Sequence, residues 1–254
     1  MDQIVNYSNS RKVSMADSWF EVATLDHFWI RRRFDVLRGL LGKNYRPSGL
    51  VAEVGCGHGL VQSQFRAAYN LAVDGFELNE HALAASVATD QPRFIYDIHE
   101  RREELREKYS VVILFDVIEH IEDDSGFLES VLFHLKHGGL LIINVPALQF
   151  LFSKYDRAAG HLRRYSLGQL EGVCRTVGLS RVTATYWGAP LLPLLLVRKV
   201  VLALRDGEEA VINQGFKPPS PAANKLLGAI SGVEPIPQRW VGTSVMGIFE
   251  KIAR

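Results

Sequence analysis

Three scarcities frame this chain. It carries 2 cysteines, Cys56 and Cys174, among 254 residues. That is too few for a disulfide framework, so a reducing setting, the cytoplasm, is expected. It has no surplus of one charge: Lys+Arg is 29, Asp+Glu is 28 and the formal net charge is +1. A phosphate backbone needs a basic excess to hold it, so nucleic acid is not an expected partner. It also lacks a long apolar run. The longest uncharged stretches, Gly138–Ser153 and Val182–Val197, fall short of the roughly 20 residues of a spanning helix. The N-terminus, MDQIVNYSNSRKVS, has no apolar signal-peptide core. What remains is an ordinary globular composition, 47% hydrophobic and 22% charged, sufficient for a sizeable core.

The first fifty residues read as helical. Trp19, Phe20, Val22, Ala23, Leu25, Phe28, Trp29, Phe34, Leu37 and Leu41 recur at spacings of three and four, closed by Gly42 and Pro47. Arg31, Arg32 and Arg33 read as a solvated basic stripe. From Leu50 to Pro146 strands and helices alternate. Strands are expected at Leu50–Val54, Leu71–Phe76, Phe94–Tyr96, Val111–Phe115 and Leu140–Val145. Helices are expected near 60–69, 79–89, 100–108 and 124–136, with Asn79 and Asp123 or Asp124 as N-caps and Gly138-Gly139 as a helix stop. His137, just before those glycines, reads as a charge partner for that helix's C-terminus. Such alternation implies an α/β fold with a doubly wound parallel sheet. Ser166-x-x-Gln169 is a capping box for a helix ending at Gly178. Leu179–Trp187 and Val241–Ile252 read as further strands, and an apolar helix candidate (Leu191–Leu204), a Pro-rich loop and a short helix (Ala222–Ile230) lie between them. The expected division is an N-terminal helical cap (1–48), a core (49–188 and 241–254) and a helical insertion or lid (189–240).

The strongest local signal is VAEVGCGHG, Val51–Gly59. An apolar strand runs into Gly55, Gly57 and Gly59 and then a helix. Glycines there let backbone approach a ligand where a side chain would collide. Eighteen residues after Gly59, Glu77 ends the next strand, where a carboxylate accepts ribose hydroxyls. A dinucleotide fingerprint would need glycine at position 60, which is Leu60. Glu53 would repel a pyrophosphate and suits a cationic ligand, such as a sulfonium with an amino-acid tail. Asp97 and Asp116 end the third and fourth strands, where open α/β sheets bind ligands.

In order, EVGCGHG, GFELN, YDI, DVIEHIED and LKHGGLLIINVP resemble the class I S-adenosylmethionine-dependent methyltransferases over residues 50–180. FSKYDRAAGHLRRYS (Phe152–Ser166) and HFWIRRRF (His27–Phe34) are similar to a bacterial subgroup with a GHxRRY loop. The resemblance implies a Rossmann-like seven-stranded sheet with an antiparallel last strand, and S-adenosylmethionine as cofactor. It places Glu53, Gly55, Cys56, Gly57 and Gly59 at the methionine part. It puts Glu77 and Leu78 at the ribose, Asp97 and Ile98 at the adenine, and Asp116 and Val117 beside the cofactor.

The expected activity is methyl transfer to a small or medium-sized metabolite, at oxygen. An oxygen acceptor needs a base, and His120 or His161 is the candidate, with His27 a weaker one. Arg164 and Tyr165, with Asp156 and Arg163, are expected to line the acceptor pocket; Arg163 and Arg164 would otherwise order the loop by ion pairs with Asp156 and Glu171. Phe150, Phe152, Trp29 and Trp187 form a candidate apolar wall. Asp116-x-x-Glu119-His120 is similar to a metal-holding pattern of some O-methyltransferases, but Asp116 belongs to the cofactor side and no metal is expected. The insertion suggests an apolar or lipid-linked acceptor and leaves a membrane surface or a homodimer as partners. The competing readings are a non-catalytic S-adenosylmethionine-binding partner or sensor, a nicotinamide dehydrogenase and an aminopropyl transferase.

Overall fold

A computed structural model describes residues 4–11, 23–42, 47–204 and 220–252. Eight strands form one sheet: β1 (Ile4–Asn6), β2 (Val51–Val54), β3 (Val73–Glu77), β4 (Arg93–Ile95), β5 (Tyr109–Phe115), β6 (Leu135–Pro146), β7 (Leu179–Trp187) and β8 (Ser244–Lys251). Their spatial order is β1-β4-β3-β2-β5-β6-β8-β7. All neighbours pair in parallel except β8, which is antiparallel to both β6 and β7. The expected doubly wound sheet with an antiparallel last strand is present, with one strand more than expected. The extra strand comes from the N-terminus, where helix was expected: Ile4–Asn6 pair with Arg93–Ile95 and cover the sheet edge. Of the first fifty residues, α1 (Phe28–Leu41) is the described helix; Trp19, Phe20 and Val22 lie outside the described residues.

The sheet is coated on both faces, which is why β5 and β6 read as continuous apolar runs. Successive residues of β5 point to opposite sides. Val112 and Leu114 pack with α4 (Asp124–His134) and α6 (Leu167–Thr176). Val111, Ile113 and Phe115 pack with α1 and α2 (Leu60–Tyr69).

Three helix expectations are corrected. The 79–89 helix is only α3 (Glu80–Ala84), capped by Asn79; the chain then turns back so that Val87 N–H donates to the His58 carbonyl. Residues 100–108 hold no α-helix; two short 3-10 turns, Ile98–Glu100 and Glu103–Leu105, fall there instead, because this polar stretch buries one apolar side chain, Leu105. Gly138-Gly139 is not a helix stop. The helix ends at His134, and both glycines lie inside β6, where a Cβ on Gly139 would stand 2.7 Å from Leu135 Cδ1. His137 is therefore on a strand, and its Nε2 lies 3.0 Å from Glu107.

After β6 comes the short helix α5 (Lys154–Ala158). The region before β8 holds α7 (Leu192–Ala203) and α8 (Pro221–Ser231); Pro218 and Pro219 lie outside the described residues. Leu202 of α7 packs on Tyr155 and Ala159. The Asn224 side chain of α8 accepts from Phe28 N–H and donates to the Asp26 carbonyl, at 2.9 and 2.8 Å. Glu234 pairs with Arg32 of α1 and accepts the N–H groups of Gly188 and Ala189. No helix among the described residues is long and apolar enough to cross a membrane.

Candidate active site

The carboxyl ends of β2, β3, β4 and β5 surround a cavity of about 360 Å³. Its wall includes Glu53, Gly55, Cys56, Gly57, Glu77, Leu78, Asp97, Ile98, Asp116, Val117 and His120, so eleven of the expected site residues converge on one space. Gly59 is absent from the wall and acts by packing. At φ 83 it begins α2, and a Cβ there would stand 2.8 Å from Ser86 Oγ and 2.9 Å from Ala88. Gly55, at φ 72, has Val117 Cγ2 2.7 Å from its missing Cβ, so a side chain would push into the strand-end turn across the cavity.

Glu77 holds the glycine loop to the end of β3. One oxygen accepts Gly57 N–H at 2.9 Å; the other accepts Leu78 and Asn79 N–H at 2.7 and 2.9 Å. Burial pushes its pKa up, and those backbone donors pull the other way. Glu53 is buried, and its Oε2 has no hydrogen-bond partner. Burial pushes this carboxyl well above the ordinary range, against the Arg33 charge, which favours ionisation. An orphaned, buried carboxylate oxygen facing a cavity calls for a donor or a cation. The α-ammonium of an amino-acid tail is such a group. Burial, with the charges of Glu77 and Glu53, also raises the Cys56 thiol, so it is packed here as an un-ionised side chain.

Asp97 accepts His99 N–H at 3.0 Å and lies 3.0 Å from Arg11, and its backbone N–H donates to Ser8 Oγ, on the chain just after β1. Asp116 adopts φ 58, a left-handed conformation at the end of β5. Its carboxylate accepts from Arg33 Nη1 and, at 2.8 Å, from Asn144 Nδ2. Asn144 is oriented in turn by Trp187 Nε1 at 2.8 Å. Burial raises the Asp116 pKa, and Arg33 opposes it.

The basic stripe is corrected here. Arg33 is not solvated: it is buried between the Trp29 and Phe115 rings, its guanidinium 5.1 and 4.7 Å from their centroids, and it lines the cavity. Its place three residues after Ile30 and four before Leu37, on the apolar face of α1, is the signal that sequence reasoning passed over. Arg11, His58, His99 and Phe127 are further cavity residues not anticipated.

On the other side of the wall, His120 and His161 lie edge to face, ring centroids 4.8 Å apart and planes at 83°. His120 Nδ1 contacts the Gly160 carbonyl at 3.1 Å, and His161 Nδ1 contacts Asp156 Oδ1 at 3.0 Å. Burial, with the nearby His161 charge, pushes His120 down to about 4. Asp156 is buried too, yet the His161 bond and the Arg164 charge hold it well below the usual carboxylate range. Arg164 and Tyr165 are buried away from the cavity wall. Arg164 Nε donates to Asp156 at 2.7 Å and Nη1 to the Ala147 carbonyl at 3.1 Å; Tyr165 OH donates to Asp124 at 2.9 Å. Both side chains are thus bonded to neighbouring protein groups, which orders the loop. Arg163 pairs with Asp124, not Glu171, which takes Arg181 and Arg239. His27 caps α1 by accepting Trp29 N–H. Trp29, Trp187, Phe150 and Phe152 lie off the wall, whose aromatic side chains are Phe76, Tyr96, Phe115 and Phe127.

A model of the methyltransferase domain family matches residues 25–184. The chain belongs to the methyltransferase-domain family. S-adenosylmethionine is its cofactor, and the orphaned buried oxygen of Glu53 on the cavity wall suits that molecule's ammonium. Among curated relatives, the ubiquinone biosynthesis O-methyltransferase of Rickettsia canadensis (strain McKiel) is 32% identical over 98 residues, 37% of this chain and 41% of that protein. The chain thus matches less than half the length of that relative. Among solved structures, phosphoethanolamine N-methyltransferase 2 of Haemonchus contortus, with S-adenosyl-L-methionine, has a TM-score of 0.59 at 16% identity, over 90% of this chain and 56% of that one. A SAM-dependent methyltransferase of Thermotoga maritima, by its name a possible histamine N-methyltransferase, has a TM-score of 0.56 at 18% identity, over 88% of this chain and 92% of that one. At these identities the two structures share the fold of this methyltransferase domain.

Proposed function

We propose that this chain transfers a methyl group to a hydroxyl oxygen of a small, partly apolar acceptor. The observation that carries the proposal is His120 on the cavity wall, backed by His161 and its Asp156–Arg164 support. Bound S-adenosylmethionine supplies a methyl carbon already activated by a sulfonium. What the chain must add is alignment of an acceptor oxygen about 3 Å from that carbon and exclusion of water. Glu53 and Glu77 hold the cofactor's polar end, and Asp116 with Val117 borders the same space. Phe115, Ile121 and Phe127 give the wall near His120 an apolar surface. His120 receives the hydroxyl proton, with His161 fixed beside it by Asp156. The matched relative is named as an O-methyltransferase, which favours oxygen over nitrogen.

The test offers labelled S-adenosylmethionine with phenols, catechols and amines. Label is expected in hydroxyl acceptors. His120→Gln is expected to lower kcat about 10²-fold or more while leaving S-adenosylhomocysteine binding intact. Transfer to amines alone would sink the proposal. Cofactor binding with no turnover on any acceptor would leave the sensor reading in its place.

A further inference from the structure

We propose that residues 7–11 form a strap that completes the cofactor site: Ser8 and Arg11 fix the Asp97 carboxylate and close the cavity at its adenine end. The strap lies outside the family match, which begins at residue 25. Its path is set by the sheet edge. Ile4–Asn6 pair with Arg93–Ile95, and the Tyr7 and Ser8 N–H groups then both donate to the Ile95 carbonyl, at 2.9 and 3.0 Å. Tyr7 stacks on Phe94, ring centroids 5.3 Å apart, and meets Tyr96 edge to face. Three residues after Ser8, Arg11 N–H donates to the Leu78 carbonyl at 2.9 Å. The chain therefore crosses from the end of β4 to the end of β3, between the two strand ends that carry Asp97 and Leu78.

Two contacts along this path converge on Asp97. Its N–H donates to Ser8 Oγ at 2.8 Å, and its Oδ2 lies 3.0 Å from Arg11 Nη1. The other oxygen, Oδ1, accepts His99 N–H at 3.0 Å. Held from both sides, the carboxylate has a fixed orientation, and its remaining lone pairs are left for a donor in the cavity. The amino group of an adenine ring is such a donor. Arg11 lines the cavity and is also 67% exposed, so it stands at the boundary between cavity and solvent. An ion pair this exposed is weak and screened by salt. β1 itself is a three-residue strand at the sheet edge, paired on one side. Such an element opens at low cost, whereas the rest of the wall is built on central strands and on α1 and α2. Spent cofactor must leave before a fresh molecule enters, and the strap is the part that lifts to let it pass. The proposal rests on the adenine lying at Asp97; it needs no acceptor.

The experiment uses the full chain with S-adenosylhomocysteine and S-inosylhomocysteine, whose base carries a carbonyl where adenine carries the amino group. Stopped-flow kinetics give dissociation rates, and calorimetry gives affinities. The parent should bind the adenosyl compound about tenfold more tightly or better. Arg11→Ala and Ser8→Ala should each release S-adenosylhomocysteine several-fold faster and narrow that preference. Arg11→Lys should recover most of the loss, since it keeps a cation beside Asp97. Salt at about 1 M should erase the difference between parent and Arg11→Ala. Thermal midpoints should stay at the parent's value, because neither side chain is buried. Dissociation and preference unchanged in both variants would overturn the strap's role. A parent that binds both compounds equally, or Asp97→Ala with undiminished affinity, would put the adenine elsewhere and overturn the proposal at its premise. Methyl transfer to a hydroxyl stands or falls separately, on the labelled-acceptor assay.

Discussion

Two buried carboxylates at the edge of the same sheet face opposite fates. Asp156, 0% exposed, accepts from Ser153 N–H, Ser153 Oγ, His161 Nδ1 and Arg164 Nε, and its pKa is held low. Glu53, 3% exposed, keeps one oxygen without a partner, and its pKa is driven up. Burial alone does not decide the charge of a carboxyl; the donors around it do. On the loop after β6, the fold completes its own polar network and gains rigidity. At the end of β2 it leaves a polar group incomplete, and that incompleteness is what a cationic ligand can fill.

The comparison breaks most visibly at Asp156. Asp156→Asn leaves Arg164 buried without a counter-ion and should lower unfolding free energy by about 3–5 kcal/mol, read by urea denaturation. If stability were unchanged, the network would be ornament and the contrast with Glu53 would collapse. Glu53→Gln should do the reverse. The empty protein should be as stable as the parent or more so. S-adenosylhomocysteine affinity should fall by about 1.5–3 kcal/mol, the range for hydrogen bonds to charged groups, read by calorimetry.

The pH dependence at Glu53 sharpens the same point. Its raised folded pKa means that its contribution to stability is present below the ordinary carboxylate pKa and lost as pH rises through the raised value. The proposed contact between Glu53 and the cofactor's ammonium needs the ionised form, so affinity should fall as pH drops through that raised value, and this slope should vanish in Glu53→Gln. Opposite slopes for stability and affinity are expected; parallel slopes would refute the assignment. The smallest effect is expected at Trp187→Phe. It deletes the bond to Asn144 that orients Asp116, costing about 1–3 kcal/mol of stability, with only a modest change in cofactor affinity.

Much of the cavity wall was legible in the chain, because each of its signals is local. Glycines at φ 72 and 52 sit where a strand must turn into a helix within a few residues, and Glu77, Asp97 and Asp116 fall at strand ends that apolar runs mark. The acceptor half was less legible. Arg164 and Tyr165 read as pocket residues because RRY is polar and follows a loop, yet the loop folds over them, and Asp156 and Asp124 take their donors. Arg33 read as solvent-facing from its neighbours Arg31 and Arg32, but the helical turn of about 100° per residue puts it on the inner face. Glu119 read only as the middle of an Asp-x-x-Glu-His pattern, and the structure shows it sealed from water.

The sequence by itself determined the parallel sheet and the strand-end acids, since periodicity and turn chemistry act within a few residues; the antiparallel last strand was implied by the family resemblance. Only the tertiary structure decided which polar groups are satisfied: Arg33 meets Asp116 and Asp116 meets Asn144 across tens of residues, and donor–acceptor pairing over that distance has no local signature.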